Sequence, residues 1–138
     1  MKKLIVILFI TPTFKVLLKT KEINRRKFFV LLEAWQRRGE SDYGTLVSIL
    51  KELEEIAPPG KFSLHFEKIR ESQMDTKFGK AKKIYYVCYL PFEPIKNDSD
   101  IVIEEKENLS SLKNKMPREE YSIILEVFGI QKSLTDFL

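Results

Sequence analysis

The chain has 138 residues, with 24 Lys and Arg against 20 Asp and Glu, one histidine and one cysteine. That length suits one domain with one core. A content of 43% hydrophobic and 32% charged residues, with only five Gly and six Pro, excludes disordered, collagen-like and low-complexity classes.

The lone Cys88 excludes an internal disulfide, and one His with one Cys cannot supply the usual zinc ligand sets. No metal and no cofactor is therefore expected, and the cysteine usage points to a cytoplasmic location. Charge is polarised along the chain: residues 1–90 hold 18 basic against 10 acidic groups, residues 91–138 only 6 against 10. A basic body favours an anionic partner, and an acidic end favours a different contact.

Met1-Lys2-Lys3 followed by Leu4 to Ile10 imitates the start of a signal peptide. The apolar run is far short of the ~20 residues that span a membrane. Its β-branched content predicts instead a first strand buried on both faces, with no membrane association. Thr11-Pro12 has the form of a helix cap followed by proline, with Phe14, Leu17 and Leu18 at helical spacing, and a hairpin strand from Phe14 to Lys19 is the rival. A break is expected across Lys21 to Asn24. From Asn24 to Arg38, the set Phe28, Leu31, Leu32 and Trp35 follows the i, i+3, i+4, i+7 rule and predicts a helix, with Arg37 and Arg38 at its negative end and Gly39 just beyond. A second helix begins near Ser41-Asp42, carries Leu46, Ile49, Leu50, Leu53 and Ile56, and stops at Pro58-Pro59-Gly60.

The period then changes. Phe62, Leu64 and Phe66 alternate with polar residues over Lys61 to Arg70, predicting a half-buried strand with a bulge or its end just before Ile69. Glu71 to Ala81 is read as a polar connection of a long-looped hairpin. Lys82 to Leu90 carries seven consecutive apolar or aromatic residues behind two lysines, the pattern of a central strand covered on both faces, with Cys88 a buried small hydrophobe. Pro91 to Asp100 is a loop by composition, Ile101 to Glu105 a short third antiparallel strand, and Lys106 to Met116 a polar stretch anchored by Leu109 and Leu112. Pro117 opens a last helix that presents Tyr121, Ile124, Leu125 and Phe128 and closes at Gly129. The tail Ile130 to Leu138 is apolar enough to pack on the body or on a partner.

The expected architecture is α+β: a mostly antiparallel sheet, two helices on one face and a C-terminal helix. It forms a single domain, with a core at residues 3–105 and a helical extension at 106–138.

No motif fixes a chemistry. Gly-rich phosphate loops, a nucleophile elbow and a convincing carboxylate pair are all missing from the sequence. His65 lies on the outward face of its strand. Arg70, Lys77, Lys80, Lys82 and Lys83 flank a tyrosine-rich strand, combining the cations and aromatic faces that single-stranded nucleic acid requires. Arg25, Arg26 and Lys27 form a second basic cluster.

The order of strands and helices, the opening strand running into Thr11-Pro12-Thr13-Phe14, the basic end of Phe62 to Arg70, and Lys83-Ile84-Tyr85-Tyr86 together resemble the RelE/ParE and HigB-like toxins. That resemblance implies a toxin-antitoxin protein that binds RNA. Arg70, Lys83 and Tyr86 would be its catalytic candidates, His65 an extra one, and Arg25, Arg26, Lys27, Arg70, Lys80, Lys82 and Lys83 would contact nucleic acid. Glu104-Glu105-Lys106-Glu107 departs from the pattern, since it repels RNA where such toxins carry basic or aromatic groups, so a non-cleaving relative is the weaker form of the same reading. Two other classes compete. Helix 24–38, helix 42–57 and hairpin 61–90 match a winged-helix DNA-binding order. The acidic, apolar-ended C-terminus suits a phage or mobile-element interaction protein with no catalytic activity.

Overall fold

The computed structural model describes residues 2–95 and 100–136, with side chains as far as residue 129. Seven strands form one sheet: β1 (Lys2–Ile10), β2 (Val16–Ile23), β3 (Arg26–Val30), β4 (Leu32–Trp35), β5 (Glu67–Thr76), β6 (Gly79–Tyr89) and β7 (Ile101–Glu104). The helices are α1 (Asp42–Leu50), continued by a 3-10 turn at Lys51–Leu53, and α2 (Arg118–Asp136), preceded by a 3-10 stretch at Lys106–Leu112.

β1 organises the sheet. Its residues Leu4 to Ile10 are all buried, and it sits inside the order β3-β2-β1-β6-β5, with β4 pairing the start of β1 and β7 pairing β2. Every pairing is antiparallel except β1 with β6, which run parallel from Lys2↔Ala81 to Ile10↔Tyr89. Alternation along β1 divides the core. Leu4, Val6, Leu8 and Ile10 face α2, where Ile123, Ile124, Val127 and Phe128 cover them. Ile5, Ile7 and Phe9 face α1 and the turn after it, meeting Leu46, Ile49, Leu53 and Ile56. A strand so covered has no polar face, which is why its sequence runs apolar without interruption.

The α+β class, the mostly antiparallel sheet, the central Lys82 strand, the helix from Asp42 and the C-terminal helix match the sequence expectations, and Ile69 is the bulge expected in β5. Other elements differ. Residues 24–38 form no helix: β3 and β4 occupy them, and Asn24-Arg25, at φ 50° and 66°, is the two-residue turn of the β2–β3 hairpin. The unbroken apolar run Phe28–Leu32 fits both the helical and the strand period, because it spans the end of β3 and the start of β4 and feeds both sides of the sheet, Phe29 and Leu31 one core and Leu32 the other. Thr11-Pro12 does not start a helix either. The Thr11 hydroxyl accepts the Lys15 N–H at 3.0 Å and closes the β1–β2 turn, so the rival hairpin strand is the one present.

Residues 61–66 are irregular, and the hairpin that follows is tight: β5 runs to Thr76 and β6 starts at Gly79, with only Lys77 and Phe78 between. Gly79, at φ 114°, supplies a backbone angle that a side chain would oppose. Helix α2 passes through Gly129 rather than ending there. The packing expected of the Ile130–Leu138 side chains lies outside the described residues. No described helix is long and apolar enough to cross a membrane.

Candidate functional site

The parallel pairing of β1 with β6 sets the starts of both strands side by side and brings the Lys77-Phe78 turn next to Lys2 and Lys3. On the other flank of β1, Trp35 ends β4 opposite Leu4, and the Gln36 N–H donates to the Lys3 carbonyl at 2.9 Å, prolonging that ladder by one bond. The chain then turns through Gly39, at φ 80°, into α1. These three segments enclose a cleft of about 790 Å³, lined by Lys2, Lys3, Trp35, Gln36, Arg37, Arg38, Gly39, Glu40, Thr76, Lys77 and Phe78. The volume is that of a small-molecule site.

The lining has a definite chemistry. Five basic side chains face one carboxylate, Glu40. Two large aromatic rings stand open to solvent, Trp35 at 46% exposure and Phe78 at 87%. Lys2 Nζ lies 5.3 Å from the centre of the Phe78 ring, a cation–π distance that gathers the turn toward β1.

The loop into α1 is fixed by its own polar groups. The Ser41 hydroxyl caps α1 by accepting the Gly44 N–H at 3.0 Å. Asp42 Oδ1 accepts Gln36 Nε2 at 2.7 Å, and Lys3 Nζ lies 3.5 Å from the same oxygen. Its Oδ2 faces the Tyr86 hydroxyl at 3.5 Å. Glu40 Oε1 accepts the Thr45 hydroxyl at 2.6 Å and the Arg37 N–H at 3.4 Å. The Thr45 bond above all, helped by Arg37, holds the Glu40 carboxyl below the usual carboxylate range.

The residues singled out from the sequence do not share a site. Arg25, Arg26 and Lys27 belong to the β2–β3 turn and the start of β3. Arg70 is paired with Glu126 of α2. Lys82 Nζ is 3.3 Å from Glu71, and Lys80 stands opposite Asp75 on β5. Lys83 points into the α2 side, 3.8 Å from the buried Glu120. Tyr86 turns to the α1 side, with burial first and Asp42 second raising its hydroxyl above the usual range. His65 lies in the irregular stretch before β5. The strand's tyrosines form no continuous stacking platform, since Tyr85 is 1% exposed, Tyr86 is half-buried and Tyr89 stands alone in the open at 49%. Cys88 is fully buried, and burial pushes its thiol up to about 12, which suits the inert hydrophobe expected.

No protein-family model and no curated protein sequence matches the chain. Solved structures do match in fold. A hydrolase of the NUDIX family from Clostridium perfringens aligns with a TM-score of 0.65 at 13% identity, over 94% of this chain and 97% of that one. The NUDIX domain of Shewanella oneidensis NrtR, solved with ADP ribose, gives 0.63 at 15%, over 94% and 87%. A C. elegans Ap4A hydrolase gives 0.64 at 12%, over 96% and 99%.

The chain has the NUDIX hydrolase fold. This finding overturns the RelE/ParE resemblance and, with it, the RNA-binding, toxin-antitoxin reading on which Arg70, Lys83 and Tyr86 were named. The winged-helix alternative falls as well, because its first helix is β3 and β4. Nor is the protein contact expected of the acidic, apolar-ended C-terminus supported: Leu112, Ile123, Ile124, Val127 and Phe128 pack on the sheet of the chain itself, and the side chains beyond residue 129 lie outside the described residues.

Phosphoanhydride hydrolysis generally relies on a divalent metal, which carboxylates and substrate phosphates hold together. Among the described residues, no group of three or more His, Cys, Asp or Glu is placed to hold one. The nearest carboxylates, Glu40 and Asp42, already accept from the chain's own donors, and Glu52 after α1 pairs through Oε1 with Lys19 Nζ at 3.0 Å, its buried Oε2 without a partner and the exposed Glu54 and Glu55 beside it, all three outside the cleft lining. The described residues that line the cleft, with Glu40 their one carboxylate, do not fit a metal centre.

Sequence reasoning placed Trp35, Arg37 and Arg38 on a helix and Lys77 in a loop, and so missed this cleft. No local signal joins them, because the strand pairing that does so is between distant segments.

Proposed function

We propose that the chain binds a nucleoside diphosphate compound, of the ADP-ribose or dinucleoside polyphosphate type, in the cleft between the β5–β6 turn and the loop into α1. The observation that carries this reading is the lining itself: Lys2, Lys3, Arg37, Arg38 and Lys77 around two exposed aromatic rings. Guanidinium and ammonium groups match phosphate oxygens, Arg in a bidentate fork and Lys as a point charge. Trp35 and Phe78 offer faces on which a purine can stack. The structural neighbours supply the ligand class, since one was solved with ADP ribose and another acts on a dinucleoside tetraphosphate.

Trp35 is the sole tryptophan, so its fluorescence reports the cleft directly. Titration with ADP ribose or diadenosine tetraphosphate is expected to change that emission saturably. The double variant Arg37→Ala, Arg38→Ala, which alters exposed side chains, is expected to weaken binding at least tenfold with an unchanged melting temperature. Emission that does not respond to either ligand, or a variant that binds as well as the parent, contradicts the reading.

A further inference from the structure

We infer that this cleft holds its nucleotide without a divalent metal, its basic side chains supplying the countercharge, and that the phosphoanhydride is left intact. The inference rests on the nucleotide-binding reading above and concerns what that site does with its ligand.

A metal at a polyphosphate site performs two tasks: it neutralises phosphate charge, and it lowers the pKa of a bound water so that hydroxide can attack. The first task is covered here by protein groups. Five cations and one carboxylate leave the lining strongly positive before any ion arrives. Glu40, the one acidic lining residue, is turned toward the Thr45 hydroxyl and the Arg37 N–H.

The second task has no support. Glu40 is the one carboxylate in the lining: Asp42, at the start of α1, accepts from Gln36 and stands against Lys3, while Glu52, whose Oε1 pairs with Lys19 and whose buried Oε2 has no partner, lies with the exposed Glu54 and Glu55 after α1, outside the cleft. At Asp42 an ammonium group stands against the carboxylate, so a divalent cation in the cleft would have to displace a positive charge of the protein and enter a positive field. Its entry is opposed on both counts. The likeness to hydrolases is therefore one of fold, and this chain's own side chains have changed what the fold does with a bound nucleotide.

The test is calorimetric titration of the full chain with ADP ribose, once in EDTA and once in magnesium chloride, followed by chromatography of the ligand after overnight incubation. The expected result is a dissociation constant that agrees within about twofold between the two conditions, with ADP ribose recovered intact from both. Binding that weakens more than tenfold in EDTA, or release of AMP in magnesium, overturns the inference and leaves nucleotide binding standing. Absence of binding heat in both conditions overturns the binding reading and the inference together. In EDTA, Lys77→Ala should weaken binding several-fold, because its ammonium group takes a share of the metal's role. An unchanged affinity in that exposed-turn variant also counts against the inference.

Discussion

Glu120 is a carboxylate buried among apolar side chains. It is 2% exposed, its Oε1 accepts the Leu31 N–H at 2.6 Å, and its Oε2 lies 3.8 Å from Lys83 Nζ. Burial raises its carboxyl to about 7, against the pull of the Leu31 N–H and Lys83, while Glu33 adds to the rise and Lys21 opposes it. Glu119 and the buried Tyr85 hydroxyl complete the titratable groups around this cluster. Between pH 4.5, its unperturbed value, and about 7, the native state keeps a proton that the unfolded chain has released. Stability from this group is therefore fully present below about 4.5 and is lost as pH rises through 7. In Glu120→Gln the amide oxygen retains the Leu31 bond and has no proton to lose. Urea midpoints of the parent are expected to fall from pH 5.5 to 8.5, and in the variant this fall should shrink. Identical profiles for the two proteins would place the pH dependence elsewhere.

At the scale of elements, the β2–β3 hairpin carries local strain. Asn24 tolerates a left-handed backbone and Arg25 does not, yet both have positive φ. Arg25→Gly should raise stability by up to ~1 kcal/mol, measured as a higher denaturant midpoint, and should leave nucleotide binding unchanged. A lowered midpoint would mean that the arginine makes a compensating contact. The same hairpin shows why part of the fold was illegible. α1 was readable because Leu46, Ile49 and Leu53 mark one face and Pro58-Pro59-Gly60 marks the stop, and β6 was readable because its aromatic run is too short and too β-branched for a helix. Phe28–Leu32 satisfies both periods, and only the turn residues Asn24-Arg25 distinguish them, a weaker signal than Asn-Gly. Of the cleft residues, Lys77 carried only a cationic label in the sequence, and Trp35 was assigned to a buried helix face although 46% of it meets solvent.

For the whole molecule, the central claim is that one end of a NUDIX-fold sheet, where β1, β4, the β5–β6 turn and the loop into α1 meet, is the binding surface, and that the other basic groups are not. The basic residues that the sequence brings forward are spread over both faces and an outlying hairpin, most of them with acidic neighbours. Those of the cleft converge because β1 and β6 run parallel. Amide chemical-shift mapping by NMR on titration with ADP ribose in EDTA tests this most directly. The account predicts perturbations clustered at residues 2–3, 35–40 and 76–79, with the Trp35 indole among the largest. Perturbations centred on the 24–27 hairpin or on Lys80 to Lys83, or no perturbation at saturating ligand, would contradict it.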